Sequence, residues 1–482
     1  MSFPTTIPNQ LFIDGQWRDS ADGKTRDVVN PVDEQAFDRI AVASDDDIAR
    51  ALESAQAGLA RWRATDAWTR SATIRRIADL LREWAPEAAA LMTREQGKTL
   101  AESRSEWAAA ADQFDWYADE ARRIYGRTID GHNTAVRLMV NREPVGVVAA
   151  FSSWNFPALL PSRKMAPALA AGCAIIVKPA QEAPFSTLLI AEACRQAGVP
   201  AGVVTMLTGE SRRISSALIQ SEVVRKISLT GSVPVGRELL HAAADRIVKA
   251  SMELGGHAPV LIFADSDVEA AATACATFKF RNAGQVCASP SRFIVHDDIA
   301  EEFTAKLVEA TAKLRVGDGA AEGTDVGPLN NSRRIEAAEA LVADAVAKGA
   351  TVLHGGRRDA TFERGFFFEP TVLADVPQDA EIMREEPFAP IAPVARFSNF
   401  DEAIAMANST NLGLASYVFT RDLATAYRAA EAIEAGMVGI NNLGIATAEA
   451  PFGGIKESGY GREGGAEGIL DYTVSKYINI QL

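Results

Sequence analysis

An α/β fold built on a parallel sheet covered on both faces is predicted by two features of the stretch 145–263. First, short apolar runs recur there: VGVVAAF (145–151), CAIIVKP (173–179), GVVTMLTG (202–209), VRKISLTG (224–231) and APVLIF (258–263). Second, amphipathic segments such as FSTLLIAEACRQAG (185–198) and GRELLHAAADR (236–246) separate them. Strands that are apolar on both faces, alternating with helices, belong in a parallel sheet with helices above and below.

The other elements follow in chain order. DDDIARALESAQAGLARWR (45–63) and RSATIRRIADLLREWAPEAAALMTREQG (70–97) carry helical spacing, with acidic residues at the first start. GRTIDGHNTAVRLMVNRE (126–143) and the terminal DYTVSKYINIQL (471–482) alternate without a core of their own and read as edge strands that need a partner. A second αβ region begins near 258. It includes the helix-like DVEAAATACATFKF (267–280), the strand-like SRFIVH (291–296), and helices at 299–314 and 332–349, with a Gly-rich loop at 315–330.

At 482 residues the chain is long enough for two or three domains. With 49 Lys and Arg against 63 Asp and Glu, the formal charge is −14, and no basic block interrupts it. Nucleic acid and anionic membrane are excluded as partners on that ground. The N-terminus MSFPTTIPNQLFIDGQW lacks the basic start and apolar core of a secretory leader. No apolar run approaches the ~18 residues of a membrane span. Four cysteines make no disulfide framework, so a cytoplasmic setting is expected. Five scattered histidines and the absence of Cys-x-x-Cys argue against a metal site, and no G-x-S-x-G elbow is present.

Between the predicted helix 267–280 and the strand 291–296 lies FRNAGQVCASP (280–290), a loop of small polar residues that carries Cys287. Cys173 adjoins an apolar strand, and Cys194 and Cys275 lie inside helices. Cys287 alone looks presented rather than packed. Glu253 ends an apolar strand before Gly255 and Gly256. It is either an exposed strand-end acid or a carboxylate given access to a site by the glycines. Asn155, in SSWNFP, follows a strand at the edge where open α/β sheets bind ligands; it either makes an Asx turn before Pro157 or steadies an oxyanion. SLTGSVPVGREL (228–239) places Gly231 and Ser232 ahead of a helix start that favours phosphate, and Lys178 ends another strand.

The order of these motifs, WNFP, KP, TGS, ELGG, GQVC, EEPFAP and PFGGIKESGYGREGG, resembles the aldehyde dehydrogenase superfamily over essentially the full chain. The resemblance implies a Rossmann-type cofactor domain (1–122 and 144–252), an αβ catalytic domain (253–460), and a small β oligomerisation extension (123–143 and 463–482) in a homodimer or homotetramer. It implies that Cys287 attacks an aldehyde, that Asn155 and the Cys287 N–H bind the oxyanion, and that Glu253 primes the water that frees the acid. Lys164 and Glu463 occupy the positions of a proton-relay pair. The implied cofactor is NAD or NADP, with Lys178 at the adenosine ribose, Ser232 at the pyrophosphate, and Glu386 and Phe388 at the nicotinamide ribose. Trp154, Gly209, Gly231 and Leu254 belong to the same cofactor set.

Two departures stand out. Gln181 replaces the usual Glu that repels a 2′-phosphate, which opens NADP use with Arg212 or Arg213 as a phosphate partner. Ala389 replaces a Gly, adding one methyl beside the cofactor loop.

For the substrate, Arg163, Arg281 and Thr447 match positions that hold a distal carboxylate in the succinate-semialdehyde dehydrogenase branch, a task suited to the guanidinium fork. Ser289 stands where some of that branch carry a second cysteine, so a local disulfide switch is excluded. Succinate semialdehyde is the expected small-molecule substrate, with 2-oxoglutarate semialdehyde and glutarate semialdehyde as alternatives. CoA-acylating transfer and a non-catalytic binding role are the readings from other classes; Glu253 argues against the first, and the intact thiol with its helpers against the second.

Overall fold

The structure, a computed structural model, describes residues 3, 4 and 6–482; Met1, Ser2 and Thr5, on which part of the leader reading falls, lie outside them. Two sheets organise the chain. In the first, five parallel strands run in the order Val204–Met206, Ala174–Lys178, Val147–Phe151, Val224–Gly231 and Lys249–Leu254. Leu11–Ile13 and Gln16–Arg18 extend one edge antiparallel, and Gly459–Tyr460 pairs antiparallel with the other. From Val147–Phe151 the chain adds two strands on one side, then returns to add Val224–Gly231 on the opposite side. That reversal opens a crevice at the carboxyl ends of these two strands, the place where doubly wound sheets take ligands.

The second sheet runs Thr351–His354, Thr371–Ala374, Ile391–Phe397, Pro290–His296, Ala258–Ile262, Ala415–Phe419 and Met437–Ile440. All its pairings are parallel except the first. Only residues 255–257 link the carboxyl end of Lys249–Leu254 to the amino end of Ala258–Ile262. The segments carrying Cys287 and Glu386 likewise precede strands of the second sheet, Pro290–His296 and Ile391–Phe397. The site therefore forms where strand ends of one sheet meet strand beginnings of the other.

The five predicted apolar runs are all strands, and their side chains are almost wholly buried. The helix Asp45–Arg63 is closed by a capping box in which Ser44 and Asp47 satisfy each other's backbone N–H groups. The stretch 70–97 is two helices, Ala67–Glu83 and Ala85–Gln96: Trp84 caps the first, and Pro86 sits in the first turn of the second, where a missing N–H costs nothing. Arg127–Asp130, Val136–Pro144 and Thr473–Gln481 form a separate three-stranded antiparallel sheet. It leaves Ile129, Val474, Tyr477 and Ile480 exposed. Among the described residues no helix is long and apolar enough to cross a membrane, and no cluster of His, Cys, Asp or Glu has the makings of a metal site.

Candidate active site

The cysteine loop owes its shape to three consecutive residues with left-handed backbone, Asn282 (φ 50°), Ala283 (φ 52°) and Gly284 (φ 71°). Gly284 is required twice over: a Cβ there would lie 2.2 Å from the Ala389 carbonyl oxygen. The turn is locked by Gln285, whose side chain donates to the Asn282 carbonyl (3.0 Å) and accepts from the Asn330 N–H (2.9 Å). Cys287 emerges from it half-buried, with a free thiol.

Two cavities meet at Cys287. One, about 470 Å³, is lined by Trp154, Asn155, Gly231, Ser232, Glu253 and Glu386, among others. The second, about 650 Å³, is lined by Phe156, Leu159, Arg163, Arg281 and Phe452 together with Lys98, Glu102 and Glu106. Among the described residues Cys287 is the single lining residue that the two share.

Glu253, at the end of its strand, is buried, and neither carboxylate oxygen has a hydrogen-bond partner among the described residues. Burial first, then repulsion from Glu463, pushes its carboxyl up to about 8. The Cys287 thiol is held well above its ordinary range, first by burial and then by Glu253 and Glu386. Asn155 donates its amide to the Gln285 carbonyl at 3.1 Å, two residues short of the cysteine. Lys164 is fully buried; it donates to Thr230 Oγ1 (2.7 Å) and is ion-paired with Glu463. The second Glu463 oxygen has no hydrogen-bond partner among the described residues.

Residues expected at a cofactor line the crevice of the first sheet. Ser232 caps the helix Val233–Ala244 without using its hydroxyl, leaving the helix-start N–H groups open to an anion. Lys178 donates to Ser211 Oγ (2.7 Å) in an adjoining cavity of about 270 Å³, and burial lowers its ammonium to about 8. Leu254 lies over Gly236, where a Cβ would come within 2.7 Å of it. Trp154 and Phe388 meet edge to face at 5.6 Å. Glu386 accepts from the Gly256 N–H (3.2 Å), and burial pushes its carboxyl up to about 8. These residues fit a dinucleotide: helix-start amides for phosphates, a buried lysine for a ribose, and a carboxylate at the far end.

Some expected residues sit elsewhere. Gly209 borders none of these cavities; it lets the backbone pass Val42 and Ala43 closely. Thr447 lines a recess that adjoins the cavity reaching Cys287, sharing Ala109, Leu159, Arg163 and Ala446 with it. Arg212 and Arg213 are each held by a carboxylate, Glu238 (3.0 Å) and Asp45 (2.7 Å). Gln181 is reached instead by Arg26, which donates to its side-chain oxygen, while Gln181 donates to Ser211 Oγ (3.1 Å). The Ala389 methyl is buried in the core of the second sheet and does not line the cofactor crevice. Sequence reading missed Arg26, Lys98 and Glu106.

The model of the Aldehyde dehydrogenase family matches residues 17–478. Glutarate-semialdehyde dehydrogenase of Pseudomonas putida is 45% identical over 473 residues, 98% of each chain. Succinate-semialdehyde dehydrogenase [NADP(+)] of Escherichia coli is 44% identical, again over 98% of each chain. The crystal structure of succinate-semialdehyde dehydrogenase from Burkholderia pseudomallei superposes with a TM-score of 0.98 at 42% identity, covering 100% of both chains. With the motif order, the two-sheet crevice and these full-length likenesses in agreement, the chain belongs to the aldehyde dehydrogenase family.

Proposed function

We propose that the protein oxidises a short aldehyde bearing a distal carboxylate, first of all succinate semialdehyde to succinate, with NADP+ or NAD+ as acceptor. The observation that carries the reading is Arg163. Arg163 is 3% exposed and borders the cavity that Cys287 also lines, and its Nε has no hydrogen-bond partner among the described residues. It lies 4.0 Å over the Phe452 ring. A buried cation with no carboxylate partner among the described residues suits a ligand that brings one. Arg281, on the same cavity, stands over Phe156 and Phe278 at 5.8 and 5.7 Å.

In this reading the Cys287 thiol gives its proton to solvent water, its sulfur bonds to the aldehyde carbon, and the carbonyl pair moves to an oxygen held by the Asn155 amide and the Cys287 N–H. A nicotinamide dinucleotide held by Lys178, Ser232 and Glu386 would supply the hydride acceptor that turns this adduct into the thioester. Glu253 accepts a proton from water, the hydroxide adds to the thioester, and the carbon–sulfur bond breaks to release the acid. Lys164 and Glu463 carry the proton onward.

Arg163→Met or Arg281→Met is expected to lower kcat/KM for succinate semialdehyde about 30-fold, the ~2 kcal/mol of a lost charge-assisted hydrogen bond. Activity on hexanal should stay within about threefold, since it has no carboxylate to lose. Equal wild-type kcat/KM for hexanal and succinate semialdehyde would remove the clamp. Glutarate semialdehyde is the second reading, favoured by the Pseudomonas relative and by a cavity with room for one more carbon; kcat/KM for the succinate, glutarate and 2-oxoglutarate semialdehydes decides among them.

NADP+ use is supported by the neutral Gln181 and by Arg26 beside it. Gln181→Glu is expected to weaken NADP+ binding about tenfold, ~1.4 kcal/mol for one repelled charge, with NAD+ little changed. Fluorescence titration of each cofactor reads this directly.

The division into cofactor, catalytic and oligomerisation parts is supported by the three sheets, with Gly459–Tyr460 returning to the first. The exposed apolar residues of the three-stranded sheet support a homodimer or homotetramer. Four free cysteines suit a cytoplasmic setting.

A further inference from the structure

We propose that Lys98 and Glu106 are positioning residues for the oxyanion contact, acting through the backbone of Asn155. The inference rests on the reading of Asn155 given above.

Lys98 precedes the helix Leu100–Glu120, and Glu106 sits two turns along it. Their ion pair (2.5 Å) is almost completely shielded from solvent, with both side chains 1% exposed. A buried pair of this kind is poor evidence for stability, because removing two charges from water offsets most of their attraction. What distinguishes it is where the remaining hydrogen bonds go. Lys98 Nζ donates to the Asn155 carbonyl (2.7 Å) and lies 4.0 Å over the Phe156 ring. Glu106 Oε1 accepts from the N–H groups of Ala158 (2.8 Å) and Leu159 (3.2 Å). Those donors begin the helix Leu159–Ala171, whose N-cap Ala158 offers no side-chain cap, so a carboxylate from another helix takes the place of one. Both ends of the five-residue turn 155–159 are thereby fixed to one ion pair.

The same turn is tied to the cysteine loop. Asn282 Nδ2 donates to the Asn155 carbonyl (3.0 Å) and to the Gln285 carbonyl (3.2 Å), which also receives the Asn155 amide (3.1 Å). The Asn282 N–H is held by Glu102 Oε1 (2.6 Å), one turn before Glu106 on the same helix. Asn155 is thus registered against the loop leading to the Cys287 N–H, which Glu102 holds independently, so a shift at Lys98 moves the Asn155 side of the pair.

The test uses the full-length enzyme. Lys98→Met alone leaves Glu106 unpaired in the interior, so the neutral double variant Lys98→Met/Glu106→Gln is the principal probe. It is expected to lower kcat about 10- to 100-fold, as displacements near 1 Å do, while KM for the aldehyde moves less than about threefold. NADP+ affinity and the rate of Cys287 alkylation by iodoacetamide, neither of which uses the oxyanion donors, should remain at wild-type values. In an Asn155→Ala background the double variant should slow turnover by no more than about twofold, because its effect runs through that residue. Wild-type kcat in the double variant, an equal slowing in the Asn155→Ala background, or a parallel loss of alkylation and cofactor binding would each overturn the assignment. Asn155→Ala turning over at the wild-type rate would remove the oxyanion reading itself and this inference with it; a slow Asn155→Ala beside an unimpaired double variant would remove this inference alone.

Discussion

Cys287→Ala is expected to lose dehydrogenase turnover by about 10⁴-fold or more, the scale on which removal of a catalytic nucleophile acts. No neighbouring group can substitute. The other three thiols are buried in cores or helices: Cys173 and Cys194 in the first sheet's core, Cys275 in the second's. Each is fully shielded from solvent and lines neither chamber, so none can meet an aldehyde. Because the cofactor crevice is formed mainly by the first sheet, NADP+ titration of the variant should give the wild-type affinity. Mass spectrometry of wild-type enzyme quenched during turnover should find the acyl group on the peptide containing Cys287. Undiminished turnover in the variant, or an adduct on another side chain, would refute the assignment.

Glu253→Gln separates the two halves of the reaction. Hydride departure does not need the base that primes water, so one equivalent of NADPH per site should appear as a burst. Steady turnover should then fall by about 10²- to 10⁴-fold, the usual contribution of a general base. A variant without a burst would place Glu253 in the earlier step, at the thiol. The pH dependence follows from the raised carboxyl. Folded Glu253 retains its proton up to about 8, against 4.5 for an ordinary glutamate, so wild-type kcat should climb with pH toward 8 and then level, a limb absent from the variant. For stability the sign is opposite. Between those two values the folded state binds the extra proton, so unfolding becomes easier as pH rises through the window. Glutamine cannot titrate, and Glu253→Gln should exceed wild type in Tm at pH 9 while matching it near pH 4; a Tm difference that does not change with pH would contradict the buried, raised carboxyl.

What was legible from the sequence was local. The apolar strands announce themselves by composition, and the loops that end them by Gly, Asn and Pro at fixed offsets, which is why Asn155, Gly231, Glu253 and Cys287 stand out and lie together. Leu11–Ile13 and Gln16–Arg18 carry too little pattern in three residues each to read as strands; the first takes its place by pairing with Met206, nearly two hundred residues away, and the second by pairing with the first. The break at Trp84 was hidden by helical spacing that continues on both sides of it. Lys98 and Glu106 read as ordinary charges at a helix start, because nothing near them in sequence reveals the carbonyl and amides they meet 52 to 57 positions later. Arg26 is hidden in the same way, its partner Gln181 being 155 residues distant. Thr447 is placed at the carboxylate site by motif order, and the recess it lines adjoins the Arg163 cavity.

The two chambers that meet at Cys287 also bear on inhibition. A compound seated in the crevice of the first sheet leaves the arginine-lined chamber free, and a dicarboxylate mimic in that chamber leaves the dinucleotide groove free, so such reversible ligands should bind side by side without competing. Only an electrophile that captures the shared cysteine blocks traffic from both directions at once.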